Sequence, residues 1–298
     1  MLGQTVSTAE STGVNDLCCL PSRIDKVAIR HNPFPHLVVP DALPLTLYQA
    51  LESSYPALAD VAGPGPLANN RLYKLAAADV IANPRIAPLW REFFAYHTSA
   101  EFFRRIHALW EDVLATLHPG IRDAFGKAPE DFATVLRQPG KKGNVANFAV
   151  DVALDCQFGM NSPVTTPSSV RGPHLDNPAK LFAALLYFRQ ADDSSTGGEL
   201  ELYRVKPGQR PVARGSRVKP EAVEVAERVA YAPNTLVMWL NSPWAIHGVS
   251  PRSVTPTPRR YINFLGECYG AGVSFTDPAG LRPRPWQLIE RWRRSCAR

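Results

Sequence analysis

Apolar positions recur at helical spacing in the first 120 residues and as short runs of strand length after residue 143. In SAEFFRRIHALWEDVLATL (99–117), Phe102, Phe103, Ile106, Leu109, Trp110, Val113, Leu114 and Leu117 fall three or four apart, which places them on one face of a helix. Ser99 supplies an N-cap oxygen and Pro119 follows the end. The PRIAPLWREFFA stretch near 85–96 predicts a second helix. Leu45, Leu47, Tyr48 and Leu51 predict a third between Asp41 and Tyr55, closed by Pro56. NPFPHLVVPDAL (32–43) reads as a short strand that its prolines keep extended or at an edge. The Pro/Gly/Ala-rich 57–70 reads as a loop.

The period changes after Pro139-Gly140. NVANFAVDVALDCQF (144–158), LFAALLYFR (181–189), ELELYRV (199–205), VAERVAYA (225–232), TLVMWL (235–240) and RYINFLGE (260–267) are β-prone and bounded by Gly, Pro, Asn or Ser. Short strands separated by turn residues predict a sandwich or barrel. Gly197-Gly198 is expected to provide the positive φ of a tight hairpin. Because the helical segments precede the strands, crossover helices of a parallel α/β sheet are not expected. The fold class is mainly β with α additions. Four regions follow: a polar tail over 1–24, a mainly helical region over 25–142 that packs on the core, a β core over 143–272, and a C-terminal extension over 273–298 that ends in a short helix.

Composition narrows the class. The 298 residues are 45% hydrophobic and 20% charged, as in a soluble globular protein, and no apolar run reaches the roughly 18 residues of a membrane span. The first twenty residues lack the basic start and apolar stretch of a secretory signal. Five cysteines, at 18, 19, 156, 268 and 296, make an odd count with no C-x-x-C pair. That spacing argues against a disulfide framework or structural zinc and points to a reducing cytoplasm. Net charge is +6, unevenly placed: residues 1–203 carry −4 and residues 204–298 carry +10. A basic final third could meet nucleic acid or an anionic substrate, although a solvated basic surface accounts for it equally well.

Candidate chemistry centres on His174, Asp176 and His247. In an extended segment, positions two apart share a face, so His174 and Asp176 converge ahead of the apolar strand at 181. His247 lies 71 residues after Asp176, beyond the TLVMWL strand and its turn. Two imidazoles and one carboxylate occupy one face of an octahedral metal and leave three positions open, the arrangement suited to Fe(II) oxygen chemistry. Arg259-Arg260-Tyr261-Ile262-Asn263-Phe264 starts 12 residues after His247. A guanidinium there can take a carboxylate through two parallel hydrogen bonds. Ile262 and Phe264 alternate with Arg260 and are expected to face the barrel interior, so Arg260 should point inward and Arg259 outward.

The run GPHLDNPAKLFAALLYFR…STGGELELYR…YAPNTLVMWLNSPWAIHGVSPRSVTPTPRRYINFLGE resembles the core of the Fe(II)- and 2-oxoglutarate-dependent dioxygenases, in their prolyl-4-hydroxylase-like branch. The likeness covers about 145–270. It implies a double-stranded β-helix, or jelly roll, buttressed by the N-terminal helices. It also implies that His174, Asp176 and His247 are iron ligands, that Arg260 pairs with the distal carboxylate of 2-oxoglutarate, and that Tyr187 hydrogen-bonds the same carboxylate. The implied cofactors are Fe(II), 2-oxoglutarate as cosubstrate, and O2. The implied reaction oxidises a C–H bond, most simply by hydroxylation, and releases succinate and CO2. Asp176 disfavours a halogenase, in which a small residue stands at that position.

The expected substrate is a small molecule, amino acid or peptide. A nucleic-acid demethylase of the same fold is the alternative suggested by the basic final third. The basic stretch 204–220 has only Tyr203 as an adjacent aromatic, however, and base-flipping sites rely on aromatic stacking. Arg210, Arg214 and Arg217 would favour an anionic group if they folded over the mouth of the site. A catalytically silent jelly-roll binding or sensor domain is the reading from another class, and the intact triad with Arg260 argues against it.

Overall fold

In the computed structural model, residues 26–138, 145–209, 217–269 and 273–281 are described. Their strands are β1 (His36–Val39), β2 (Leu72–Leu75), β3 (Thr134–Leu136), β4 (Val152–Asn161), β5 (Lys180–Tyr187), β6 (Leu200–Val205), β7 (Val223–Val229), β8 (Leu236–Leu240), β9 (His247–Val249) and β10 (Arg259–Glu267). The helices between β1 and β3 are α1 (Leu45–Ser53), α2 (Leu58–Ala62), α3 (Ala77–Ala82), α4 (Pro88–His97), α5 (Ala100–Leu117) and α6 (Ile121–Phe125). As anticipated from its cap, α5 begins with the Ser99 side chain accepting a hydrogen bond from the Phe102 backbone N–H.

The larger sheet runs β1-β8-β5-β10-β4-β2, with β3 added in parallel beside β4; the smaller runs β7-β6-β9. A reciprocal antiparallel bridge from His174 to His247 extends the smaller sheet past β9. From β4 onward the chain passes repeatedly between the two sheets and lays antiparallel strands on each. This is the jelly roll, and it does not close into a barrel.

Both faces of the larger sheet are buried. On the outer face Phe158, Phe182, Met238, Ile262 and Phe264 meet the helices through Trp90, Phe93, Phe94 and Phe102. On the inner face Ala183, Tyr187, Val237, Trp239 and Tyr261 meet Leu200, Leu202 and Val229 of the smaller sheet. A strand covered on both sides reads as a continuous apolar run, which is why LFAALLYFR shows no alternation.

Several expectations change. Gly197-Gly198 is not a hairpin turn, because β5 and β6 belong to different sheets. Both glycines have φ +79, and a Cβ on Gly197 would sit 1.8 Å from the Pro251 carbonyl oxygen. Close backbone approach, rather than strand reversal, is what requires glycine there. The expected loop over 57–70 contains α2, and β2 follows it as an edge strand on β4. Its four residues are too few for a period to register. The tail over 1–24 and the expected C-terminal helix lie outside the described residues. Among the described residues no helix is long and apolar enough to cross a membrane.

The helix–sheet layer should dominate stability. Phe158 is fully buried, with ring centroids 4.7 Å from Trp90 and 4.7 Å from Phe94. Phe158→Ala should cost about 3–5 kcal/mol in urea unfolding, whereas Leu45→Ala, at a position 65% exposed, should stay within about 0.5 kcal/mol.

His97 sits in the same layer, 4.0 Å from Phe93 and 4.8 Å from Phe264 between ring centroids, and burial pushes its imidazole down to about 3. An unfolded histidine titrates near 6.5, so below that pH the unfolded chain binds the extra proton. Stability is therefore complete above pH 6.5 and falls as pH drops from there toward 3, by up to about 1.4 kcal/mol per pH unit for each such histidine. His97→Phe should flatten this slope in urea titrations of the metal-free protein between pH 7 and 5.

Candidate active site

The two sheets enclose a cavity of about 650 Å³ whose wall includes His174, Asp176, Trp239, His247, Arg259 and Tyr261. His174 and His247 are locked side by side by their own backbones: each N–H donates to the other's carbonyl, at 2.9 and 3.0 Å. Their ring centroids stand 4.2 Å apart. Asp176 follows two residues after His174, on the same face, with its Oδ2 3.8 Å from His247 Nε2. One ligand atom from each of the three lies within 4.8 Å of the others, so the structure brings together the triad expected from sequence.

The surroundings prepare these side chains as ligands. His174 Nδ1 lies 2.9 Å from the Gly172 carbonyl oxygen, and His247 Nδ1 lies 2.9 Å from that of Ala245. A carbonyl oxygen only accepts, so each Nδ1 carries the proton and each Nε2 keeps its lone pair for a metal. Burial, reinforced by the neighbouring His247, holds His174 at about 2, and burial also lowers His247. Burial alone would raise Asp176, but Lys180 and the two imidazoles outweigh it and hold the carboxyl below its usual range. Lys180 Nζ donates to Asp176 Oδ1 at 2.8 Å. Asp176 Oδ2 is buried without a hydrogen-bond partner. An orphaned carboxylate oxygen beside two lone-pair nitrogens fits a divalent cation.

The expectation for β10 needs correction. Arg260 does not line the cavity. Its side chain turns to the helix face, where Nε donates to the Phe188 carbonyl at 3.1 Å and Nη2 to Glu52 Oε1 at 3.3 Å, with the guanidinium carbon 4.8 Å from the Tyr55 ring centre. Ile262 and Phe264 lie on that same face, packed against helices rather than facing the interior between the sheets. Apolar alternation marked a buried face correctly, but the strand has two buried faces. Arg259, Tyr261 and Asn263 take the inner one and line the cavity.

Arg259 is 2% exposed. Its guanidinium carbon stands 5.0, 4.8 and 5.0 Å from the ring centres of Tyr187, Tyr231 and Tyr261. Nε donates to the Gly198 carbonyl at 3.0 Å, whereas Nη2 has no hydrogen-bond partner. Tyr187 is fully buried, with its ring beside the Arg259 guanidinium. Burial pushes that phenol up and Arg259 opposes the rise. Opposite Arg259 across the β4–β10 ladder is Asn161, whose two amide atoms are buried and unpartnered. These groups form a polar end of the site with no carboxylate of its own among the described residues. A buried guanidinium in such a place needs an anion.

From sequence Arg259 is assigned the outward face, and Asn161 is not singled out. A signal was present in the alternation Arg259-Tyr261-Asn263, a polar series suited to a cavity wall, against Arg260-Ile262-Phe264, an apolar one suited to helix packing.

Residues 165–265 match the model of the 2OG-Fe(II) oxygenase superfamily. No curated protein matches the chain in sequence. Among solved structures it is similar to a prolyl 4-hydroxylase of Phytophthora capsici, at 14% identity over 97% of this chain and 76% of that one, with TM-score 0.48. It is also similar to a Pseudomonas putida prolyl-4-hydroxylase (15% identity, 79% and 93% covered, TM-score 0.39) and to the rice dioxygenase for auxin oxidation (16%, 88% and 86%, 0.39). The segment that is similar to this superfamily, residues 165–265, carries the whole triad and Arg259.

Proposed function

We propose that the protein hydroxylates a C–H bond of a small molecule, amino acid or peptide, with His174, Asp176 and His247 as the iron ligands. The observation that carries this reading is that the buried, unpartnered Asp176 Oδ2 and Arg259 Nη2 belong to residues lining one cavity between the sheets, with the Tyr187 ring against Arg259. The first answers a metal, the second an anion. Arg259 rather than Arg260 is the partner of the distal carboxylate of 2-oxoglutarate, with Tyr187 as second donor. When bound, Fe(II) and 2-oxoglutarate supply the oxidising chemistry, in which O2 and the 2-oxo acid are consumed and succinate and CO2 released.

The chain's own contribution is positional. The Nδ1–carbonyl bonds orient both imidazoles, Lys180 restrains the Asp176 carboxylate, and the ring of Trp239, 4.6 Å from that of His247, excludes water from one side. Cys156 and Cys268 are buried and form no disulfide among the described residues, in keeping with a reducing compartment such as the cytoplasm.

Fe(II)-dependent succinate release from 2-oxoglutarate tests the reading directly. Its absence under anaerobic loading followed by O2 would reject the enzyme in favour of a silent binding domain. His174→Ala and His247→Ala should each weaken Fe(II) binding, measured anaerobically by calorimetry, by more than about 100-fold.

The two arginines should separate sharply. Removing the partner of a buried charge costs about 3–5 kcal/mol, so Arg259→Ala should raise the 2-oxoglutarate needed for half-maximal succinate release by at least about 100-fold, with Fe(II) affinity nearly unchanged. Arg260→Ala should leave that requirement within a few-fold. The reverse ranking would return the role to Arg260.

A further inference from the structure

The cavity holds more positive charge than an iron site with its cosubstrate uses. Lys74, Arg171, Lys180 and Arg259 line it, and among the described residues Asp176 is the sole carboxylate that does. Lys180 is committed to Asp176, and Arg259 on the reading above to 2-oxoglutarate. Fe(II) adds two positive charges and the 2-oxoglutarate dianion two negative ones, so binding both leaves the positive surplus unchanged and gives neither Lys74 nor Arg171 a partner. Neither forms an ion pair among the described residues, although Lys74 feels Lys180 and Asp176, and Arg171 feels Asp176 and Arg217. Arg71 also lies at the rim, but its guanidinium turns to the Tyr73 ring, 5.7 Å away. Tyr73 packs on the helix side of β2, the face opposite Lys74.

Both unmatched cations sit on a built rim. Lys74 pairs with Gly159 of β4 and so projects from β2 over the inner face. Arg171 comes from the segment leading into His174. The loops that carry them are tied together: Asn70 Nδ2 donates to the Ser168 carbonyl at 2.8 Å, Asn69 Nδ2 donates to the Thr166 carbonyl at 3.0 Å, and Asn69 Oδ1 accepts from the Thr165 N–H at 2.7 Å. These bonds hold the two side chains at one mouth. A volume of about 650 Å³ lies within the range of small-molecule sites, roughly 300–1,000 Å³. Lys74 and Arg171 are exposed at this mouth and line the same cavity as the triad. Arg210 and Arg214 lie outside the described residues, and Arg217 bridges to His174 beside Arg171.

We propose that the substrate is a small molecule bearing a carboxylate or phosphate group, held at the mouth by Lys74 and Arg171 with the rest of the molecule directed toward His174, Asp176 and His247. This rests on the oxygenase reading and deepens it.

Inorganic phosphate is the probe, titrated into the full-length protein loaded with Mn(II) in place of iron, with and without saturating 2-oxoglutarate, and read by 31P relaxation. With 2-oxoglutarate bound, phosphate should show saturable, metal-enhanced relaxation. Lys74→Gln and Arg171→Gln should each weaken its binding at least about tenfold, with Arg104→Gln on the outer surface of α5 as an unaffected control. Absence of saturation, or relaxation in both variants equal to that of the wild type, would mean an adventitious ion only and would overturn the proposal. 2-Oxoglutarate affinity measured in the same samples separates the two readings. Failure of the wild type to bind it counts against the oxygenase, whereas its loss in the Lys74 and Arg171 variants would assign those cations to the cosubstrate and overturn the substrate proposal. A ten-nucleotide single strand that bound over 100-fold more tightly than phosphate, with steep salt dependence, would overturn it in favour of nucleic acid.

Discussion

The burial of the larger sheet on both faces is the constraint from which the rest follows. Helices α4 and α5 cover one side with a continuous aromatic layer, and the smaller sheet covers the other. A strand in this position has no solvent side to receive a charge. Arg259 and Arg260, adjacent on β10, must each find a buried or half-buried solution, on opposite faces. Arg260 does so among the helices, with Glu52, the Phe188 carbonyl and the Tyr55 ring. Arg259 has three tyrosine rings and one carbonyl, which leaves part of its hydrogen-bonding capacity open toward the cavity.

That opening is maintained by a second buried network behind the tyrosines. Arg252, 1% exposed, pairs with Asp193 at 2.7 Å, donates from Nε to Ser195 Oγ at 2.9 Å, and donates from Nη1 to the Thr257 carbonyl at 2.9 Å. It ties the connection before β6 to the one before β10. Gly197 lets those two backbones run against each other, and Gly198 supplies the carbonyl that takes Arg259 Nε. Tyr231, between the two networks, accepts the Arg260 backbone N–H at 2.8 Å and lies with its ring beside both Arg252 and Arg259. A fully satisfied ion pair deep in the fold contributes little net stability, but it fixes where a neighbouring, unsatisfied one points.

The candidate metal ligands are set by the smaller sheet rather than by the aromatic layer. His174 and His247 exchange both backbone hydrogen bonds as a bridged pair, so their spacing follows from strand pairing and not from side-chain packing. Each ring is then oriented by a carbonyl two residues earlier in its own chain segment. Local backbone geometry thus sets the face shared by the triad, and distant packing sets the polar end at Arg259.

The sequence alone carried the helical first part, the strands after residue 143, the capped α5 and the triad of His174, Asp176 and His247. All of these rest on short-range regularities: a 3.6-residue period, turn residues, and two ligands sharing a face of one extended segment. The likeness to a family added the expectation of a jelly roll and pointed to Tyr187. What tertiary structure alone decided is which side of β10 faces the cavity, because apolar alternation reports burial and not the layer that does the burying. It also decided that Gly197-Gly198 is a crossing rather than a turn. The edge strand β2, four residues long, was invisible as a period, yet pairing with β4 makes it the wall that brings Lys74 to the mouth. Contacts between residues some ninety apart, such as Asn69 with Thr166, leave no trace in local pattern; they exist only once the sheets have stacked.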